Sequence, residues 1–292
     1  MKIMNQKQMT SRMKLRLFKS TFFKYIFLSS TFFCLIVLAI LFGRILTQGL
    51  PHLDWYFLNR LPSRKPEEAG IYTSLNGTIW LMAVVVPTTF FLGVGAAIYL
   101  EEYAKKNRFN TLIRLNISNL AGVPSVVYGL LGLTLFVRTF ALGKSVLAAG
   151  FTMSLLILPV VIVSAQEAIR AVPKELREAS YAMGATKWKT VLNVVLPASL
   201  PGILTGAILA LSRAIGETAP LVVLGVPLFL AFLPTSVFDE FTALPIQIYN
   251  WTSRPQEEFH ALAAAGIIVL LGVLIMMNVI AIIIRNKFSK RY

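Results

Sequence analysis

The 292-residue chain is poor in the residues that build most soluble functional sites. A single cysteine, Cys34, excludes an intramolecular disulfide framework and any metal site made of several thiolates. Two histidines, His52 and His260, are too few for a histidine-rich centre. Charge is scarce as well, at 14% of residues, and acids are the rarer sign: 13 Asp and Glu stand against 28 Lys and Arg. What fills the chain is apolar, 56% of residues, with a mean hydropathy of +0.70. A disordered basic tail needs low hydrophobicity, and a soluble nucleic-acid binder does not carry a +15 charge on so apolar a chain. No nucleic-acid partner is expected. The composition is that of an all-α polytopic membrane protein with its cations gathered on one side.

A helix needs about 20 mostly apolar residues to cross the bilayer core. Six stretches qualify: about Tyr25–Leu46, Asn76–Tyr99, Ile117–Val137, Val146–Gln166, Pro201–Leu224 and Ala261–Ile284. The first is too long for an ordinary signal-peptide core and no clear small-residue cleavage site follows it, so it reads as an uncleaved anchor. Lys and Arg in the loops set the orientation. Residues 1–24, 101–116, 170–200 and 285–292 hold 20 of the 28 cations and, with Glu167 just before the third stretch, five acids, and they alternate as six spans require. The opposite side holds seven of each sign. Both termini are therefore cytoplasmic. The expected organisation is a basic segment 1–24, a first span 25–46, an outer loop 47–73, a transmembrane unit 74–285 and a tail 286–292.

The cytoplasmic stretch 170–197 reads RAVPKELREASYAMGATKWKTVLNVVLP. Pro173 suits the first turn of a helix, and Glu175 and Glu178 suit its positive end. Leu176, Ala179 and Met183 form a narrow apolar stripe, and Gly184 is a natural helix stop. Thr186 caps a second short helix, expected to end before Pro197. Small residues at the corner allow another protein to approach closely. An amphipathic loop resting on lipid headgroups fits the same pattern.

The fifth span carries Arg213 and Glu217 at i and i+4, with Arg213 about 18 Å into the helix. A lone charge at that depth costs about 2.5–3.5 kcal/mol, so the two are expected to pair. Gly202, Gly206 and Ala210 continue the same face as a small-residue strip suited to close helix packing. The pair reads either as a structural ion pair or as a gated anion site, since the guanidinium fork matches tetrahedral oxyanions.

Pro87, Pro124 and Pro159 lie inside spans and predict bends. Asn76, Ser125 and Asn278 are suited to interhelical hydrogen bonds. Ser253 and Gln256 have capping-box spacing, which starts the last helix near Arg254. Asp239 and Glu240 belong to an outer segment that is either solvated loop or partner contact. Gly143-Lys144-Ser145 imitates the end of a P-loop, but Arg138 stands where its first glycine belongs. A lipid-modifying enzyme would need several His, Asp or Glu at one interface, which Arg213 and Glu217 do not supply.

Two strings carry a family resemblance. Glu178-Ala179-Ser180, then Gly184, then Val194-Val195-Leu196-Pro197 resembles the EAA loop of bacterial ABC importer permeases, with Ser180 and Val194 as conservative departures. In that family the loop is a coupling helix seated in a groove of the ATPase, which would place Glu178, Ala179 and Gly184 at the contact. Leu196 and Pro197 would begin the return to the membrane. Such a loop argues against a passive channel. Arg213-Ala214-Ile215-Gly216-Glu217-Thr218-Ala219-Pro220-Leu221 resembles permeases of the bacterial phosphate-specific ABC importer, PstA type, as does 241–260. The resemblance spans about residues 70–285. It implies a type I importer permease in the bacterial plasma membrane that moves inorganic phosphate inward, with Arg213, Glu217 and Thr218 on its pathway or gate. It also implies a PstC-type partner, two ATP-binding subunits and an extracytoplasmic phosphate-binding protein. ATP and Mg would be bound by the ATPase and no cofactor by this chain. The PstC-type subunit itself, or a permease for sulfate, molybdate or phosphonate, is the alternative.

Overall fold

The computed structural model describes residues 6–105 and 107–288. Lys2, Lys106, Lys290 and Arg291, counted above for orientation, lie outside them. The described residues form helices α1 (Gln6–Gly49), α2 (Trp55–Asn59), α3 (Tyr72–Ile98), α4 (Arg108–Leu120), α5 (Ser125–Gly132) and α6 (Val146–Arg170). They continue as α7 (Lys174–Ala182), α8 (Lys187–Thr190), α9 (Leu196–Gly216), α10 (Ala219–Leu224), α11 (Leu244–Thr252) and α12 (Glu257–Phe288). Among them the only β pairing is an isolated antiparallel bridge between Ser145 and Glu240. Five helices are long and apolar enough to cross a membrane, and they number six when α4 and the helix Ser125–Thr139, which α5 begins, are counted as one bent span.

α6 is the centre of the bundle, because small residues let its neighbours come close. Gly93 of α3 lies against Val161, and Gly150 of α6 lies against Val84. Gly202 and Gly206 of α9 lie against Ala168 and Ser164. The strip at positions 202, 206 and 210 thus packs as its spacing predicts. A mid-membrane core joins Val85, Met153, Ile157, Leu211, Ile215 and Leu221. A second cluster around Ile71, Trp251 and Phe259 closes the outer end, and a third around Ala97, Ile169, Val195 and Ile203 closes the cytoplasmic end.

α1 is a 44-residue helix, about 65 Å long, whose apolar middle is exposed. It meets the bundle near its outer end, where Gly49 lies against the backbone of Ala264 and Ala265.

The structure departs from the sequence reading at four places, one of them in the cytoplasmic loop described below. The span expected over Ile117–Val137 is not one helix: α4 and α5 meet at 103°. Pro124 has no N–H to continue the ladder and pushes Val123 out of the helical region. α4 instead closes with Gly122 N–H donating to Asn119 O and Val123 N–H to Leu120 O. Pro87 and Pro159, by contrast, sit inside unbroken helices. The last helix starts at Glu257, not near Arg254. Ser253 ends α11, its hydroxyl donating back to Tyr249 O at 2.7 Å, so there is no capping box. Glu257 and Glu258 do occupy the first turn of α12. The fifth span is also interrupted, and that break belongs to the site.

Candidate functional site

The cytoplasmic loop has the expected helix–glycine–helix form. α7 ends in a left-handed turn at Gly184, φ +80°. There Gly184 N–H donates to Tyr181 O and Ala185 N–H to Ser180 O, the paired closure of a Schellman motif. The Thr186 side chain accepts from Lys189 N–H and caps α8. The second helix does not stop before Pro197, however. α8 runs through a π-helical turn, Val191–Val195, into α9, giving one continuous helix from Lys187 to Gly216. Pro197 falls directly after that π-helical turn, where the regular α-helical ladder is already interrupted.

Glu178, Ala179 and Gly184 all face solvent, and no atom lies within 4 Å of where a Gly184 side chain would begin. The apolar stripe is largely uncovered, with Met183 89% exposed. Ala179 and Met183 face Val194 and Ala198 across an open groove of about 400 Å³. Leu196 packs inward on the cytoplasmic cluster. The chain therefore fixes the shape of this corner and leaves its apolar side unfilled.

The second part of the site is the break after α9. A continuous helix would place the Pro220 ring against the carbonyl of Gly216, four residues earlier, and lose the bond between them. The helix instead ends at Gly216, Glu217 turns extended with ψ 120°, and α10 starts after Thr218. Arg213 is thus in a last turn rather than mid-helix, where a cation complements the exposed carbonyls. The ion pair forms: Arg213 Nε donates to Glu217 Oε1 at 3.0 Å. Its two ends differ, Arg213 being 60% exposed and Glu217 18%. Thr218 is half-buried beside them in the turn.

Depth follows from register. α9 runs antiparallel to α6, with Gly202 at Ala168 and Gly206 at Ser164, which puts Arg213 about 20 Å along α6 from Arg170. A guanidinium that far into the membrane faces a water-filled path or another subunit rather than lipid tails. Next to it, Ser212 donates to Asn278 Oδ1 of α12 at 2.5 Å, an interhelical bond of the kind expected for Asn278. Asn76 Oδ1 is buried with no hydrogen-bond partner among the described residues.

On the outer side, Ser145 caps α6 by accepting from Ala148 N–H, so the P-loop-like fragment is a helix start. Asp239 O and Val237 O take the N–H groups of Val146 and Leu147. The Asp239 carboxylate folds back and accepts from the Thr235 hydroxyl and the Thr235 and Ser236 N–H groups, each at 2.8 Å. Those bonds, the Thr235 hydroxyl first, hold its pKa below the usual aspartate value.

One cluster was not expected. α3 ends in a π-helical turn, Tyr99–Tyr103, carrying Glu101 and Glu102. Glu101 takes Arg170 of α6, with bonds of 2.8 and 3.0 Å, and Arg114 of α4; Glu102 takes Arg177 of α7. The sequence signal was the Glu101-Glu102 pair directly after a charge-free run, but its partners lie up to 75 residues away.

Comparisons with known proteins agree with this architecture. The family described as "binding-protein-dependent transport system inner membrane component" matches residues 90–290. The phosphate transport system permease protein PstA 1 of Mycobacterium tuberculosis (strain H37Rv) is 34% identical over 232 residues, covering 77% of this chain and 73% of that protein. The probable ABC transporter permease protein YqgI of Bacillus subtilis (strain 168) is 32% identical over 263 residues, 84% of this chain and 87% of that one. Among solved structures, the MetNI methionine ABC transporter in an inward-facing form superposes with a TM-score of 0.61 at 17% identity, over 75% of this chain and 98% of that one, which bears on the fold alone.

Proposed function

The chain belongs to the family of binding-protein-dependent transport system inner membrane components, and from that membership we propose that it is the PstA-type permease subunit of an ATP-driven importer carrying inorganic phosphate into the cell. A component of this family is a multi-pass protein of the bacterial plasma membrane and works with an ATPase and a substrate-binding protein. The finer assignment is a PstC-type partner beside this chain, two ATP-binding subunits below it and an extracytoplasmic phosphate-binding protein above it. ATP and Mg are used by the ATPase, and this chain binds no cofactor and performs no catalysis.

The observation that carries the reading is the exposed Arg213 at membrane depth beside the helix break. A planar, permanently charged fork recognises tetrahedral oxyanions. Glu217 occupies one of its donors and keeps the charge neutralised between passages, so a passing phosphate exchanges with the carboxylate and leaves again. Thr218 supplies a hydroxyl beside the pair. Glu178, Ala179 and Gly184 form the ATPase-facing corner, and Leu196 with Pro197 starts the helix that returns to the pair.

The test is reconstitution of the four-part complex in proteoliposomes with each oxyanion in turn. Phosphate should stimulate ATP hydrolysis and accumulate, and both should vanish with Arg213→Ala while the complex still assembles. Stimulation by sulfate or molybdate in place of phosphate would overturn the substrate. Loss of assembly in Arg213→Ala would make the pair structural.

A further inference from the structure

The cytoplasmic end of α3 is held by two carboxylates whose partners differ in kind. Glu101 binds Arg114 and Arg170, which lie on α4 and α6, so it ties spans to spans. Glu102 binds Arg177, which lies on the docking loop. The Glu102 side chain is 9% exposed, and its Oε1 accepts from Arg177 Nε at 3.2 Å and Nη2 at 3.0 Å. The same guanidinium donates from Nη1 to Val172 O at 2.7 Å and from Nη2 to Ile169 O at 2.9 Å. These carbonyls sit at and just past the end of α6, where helix acceptors run out of partners. One planar group thus fastens α7 to α3 and α6 through four hydrogen bonds.

The rest of the loop is braced internally. The Gly184 turn closes α7, the Thr186 side chain caps α8, and the Ser180 and Thr190 hydroxyls meet at 2.9 Å. Among the described residues, Arg177 is the one residue of α7 hydrogen-bonded to the spans, helped by Leu176 packing on the cytoplasmic cluster. Lys187 of α8 adds a cation–π contact at 5.1 Å from the Tyr103 ring. The block is stiff inside and continues through α8 into α9; toward α3 and the end of α6 its hydrogen-bonded attachment is Arg177.

We propose that the Glu102–Arg177 pair delivers movement of the docking loop to α3 and α6, so that these spans move together with α9, which continues directly from the loop, when ATP is hydrolysed. The two are positioning residues and touch no substrate. The proposal rests on the reading of 170–197 as the ATPase-docking loop. Geometry matters more than charge here. A lysine at 177 keeps the cation but cannot reach Oε1 and both carbonyls together. A glutamine at 102 keeps the volume and an acceptor oxygen.

The experiment measures phosphate taken up per ATP hydrolysed by the reconstituted complex. Arg177→Lys should lower that ratio about tenfold while complex recovery and ATPase rate stay within about twofold. Glu102→Gln should lower it in the same direction but less. In a Cys34→Ser background, Glu102→Cys with Arg177→Cys should be uncoupled and regain coupling when bridged by a short bifunctional maleimide. An unchanged ratio, a parallel fall in uptake and ATPase, or loss of the complex overturns the proposal. A wild-type complex that hydrolyses ATP without taking up phosphate ends the functional reading instead.

Discussion

Replacing Gly184 with alanine changes only backbone energy in the free chain. The residue stands at φ +80°, and nothing lies within 4 Å of the position an alanine methyl would take. No steric term inside the chain therefore enters. Holding a non-glycine residue in the left-handed region costs about 1–2 kcal/mol. If the free variant relaxes out of this turn and docking restores it, that cost appears as a 5- to 30-fold loss in affinity for the ATPase, by the conversion of about 1.4 kcal/mol per factor of ten. Asparagine separates strain from contact, because it adopts the left-handed region far more readily than alanine. Gly184→Asn should recover most of the loss if strain is the cause, and should bind worse than alanine if a partner backbone packs on the corner. The assay is an equilibrium titration of detergent-solubilised permease against the ATPase, with circular dichroism confirming that the variants fold. Wild-type affinity for Gly184→Ala, with circular dichroism and stability unchanged, would refute the argument, since neither docking nor the fold would then bear the cost of the turn.

Arg213→Lys keeps the charge and loses the fork, so phosphate uptake should fall about tenfold, the worth of one ~1.4 kcal/mol hydrogen bond, and uptake equal to wild type would remove the fork from the mechanism. Gly206→Ala places a methyl 2.4 Å from the Ser164 side chain, an overpacking expected to cost about 1–3 kcal/mol and to lower the unfolding temperature. Gly43→Ala, on the open face of α1, should leave that temperature unchanged or slightly raised. The Asp239 carboxylate has a lowered pKa in the fold, so its contribution is present above about pH 4 and lost as pH falls through the folded value. Hydrogen exchange of the 235–239 segment should therefore rise in acid, and Asp239→Asn should show the open rate at neutral pH.

Local chemistry was legible in the chain and long-range pairing was not. Apolar runs located the spans because a bilayer demands length and continuity. Gly184 and Thr186 announced the loop because turn and cap preferences act within four residues. Two breaks were written in the sequence but outweighed by hydropathy. Pro220 and Pro124 disfavour a helix through the preceding turn, and next to Gly216 and Gly122 the chain does break, whereas Pro87 and Pro159 are carried inside unbroken helices; all four lie in stretches apolar enough to read as continuous. The Glu101 and Glu102 clusters were invisible for another reason. Counting charges by side says which residues share a surface, while pairing Glu102 with Arg177 requires knowing that α3 and α6 end at the same level.

The continuous helix from Lys187 to Gly216 has a mechanical consequence. Its 30 residues make a rod of about 44 Å with the docking corner at one end and the Arg213–Glu217 pair at the other. A tilt of about 5° pivoting at the cytoplasmic end swings the far end by about 4 Å, on that length. Arg213 and Glu217 both sit at that end and are carried together, so a rotation too small to disturb the packing of the bundle shifts the intact pair relative to its neighbours.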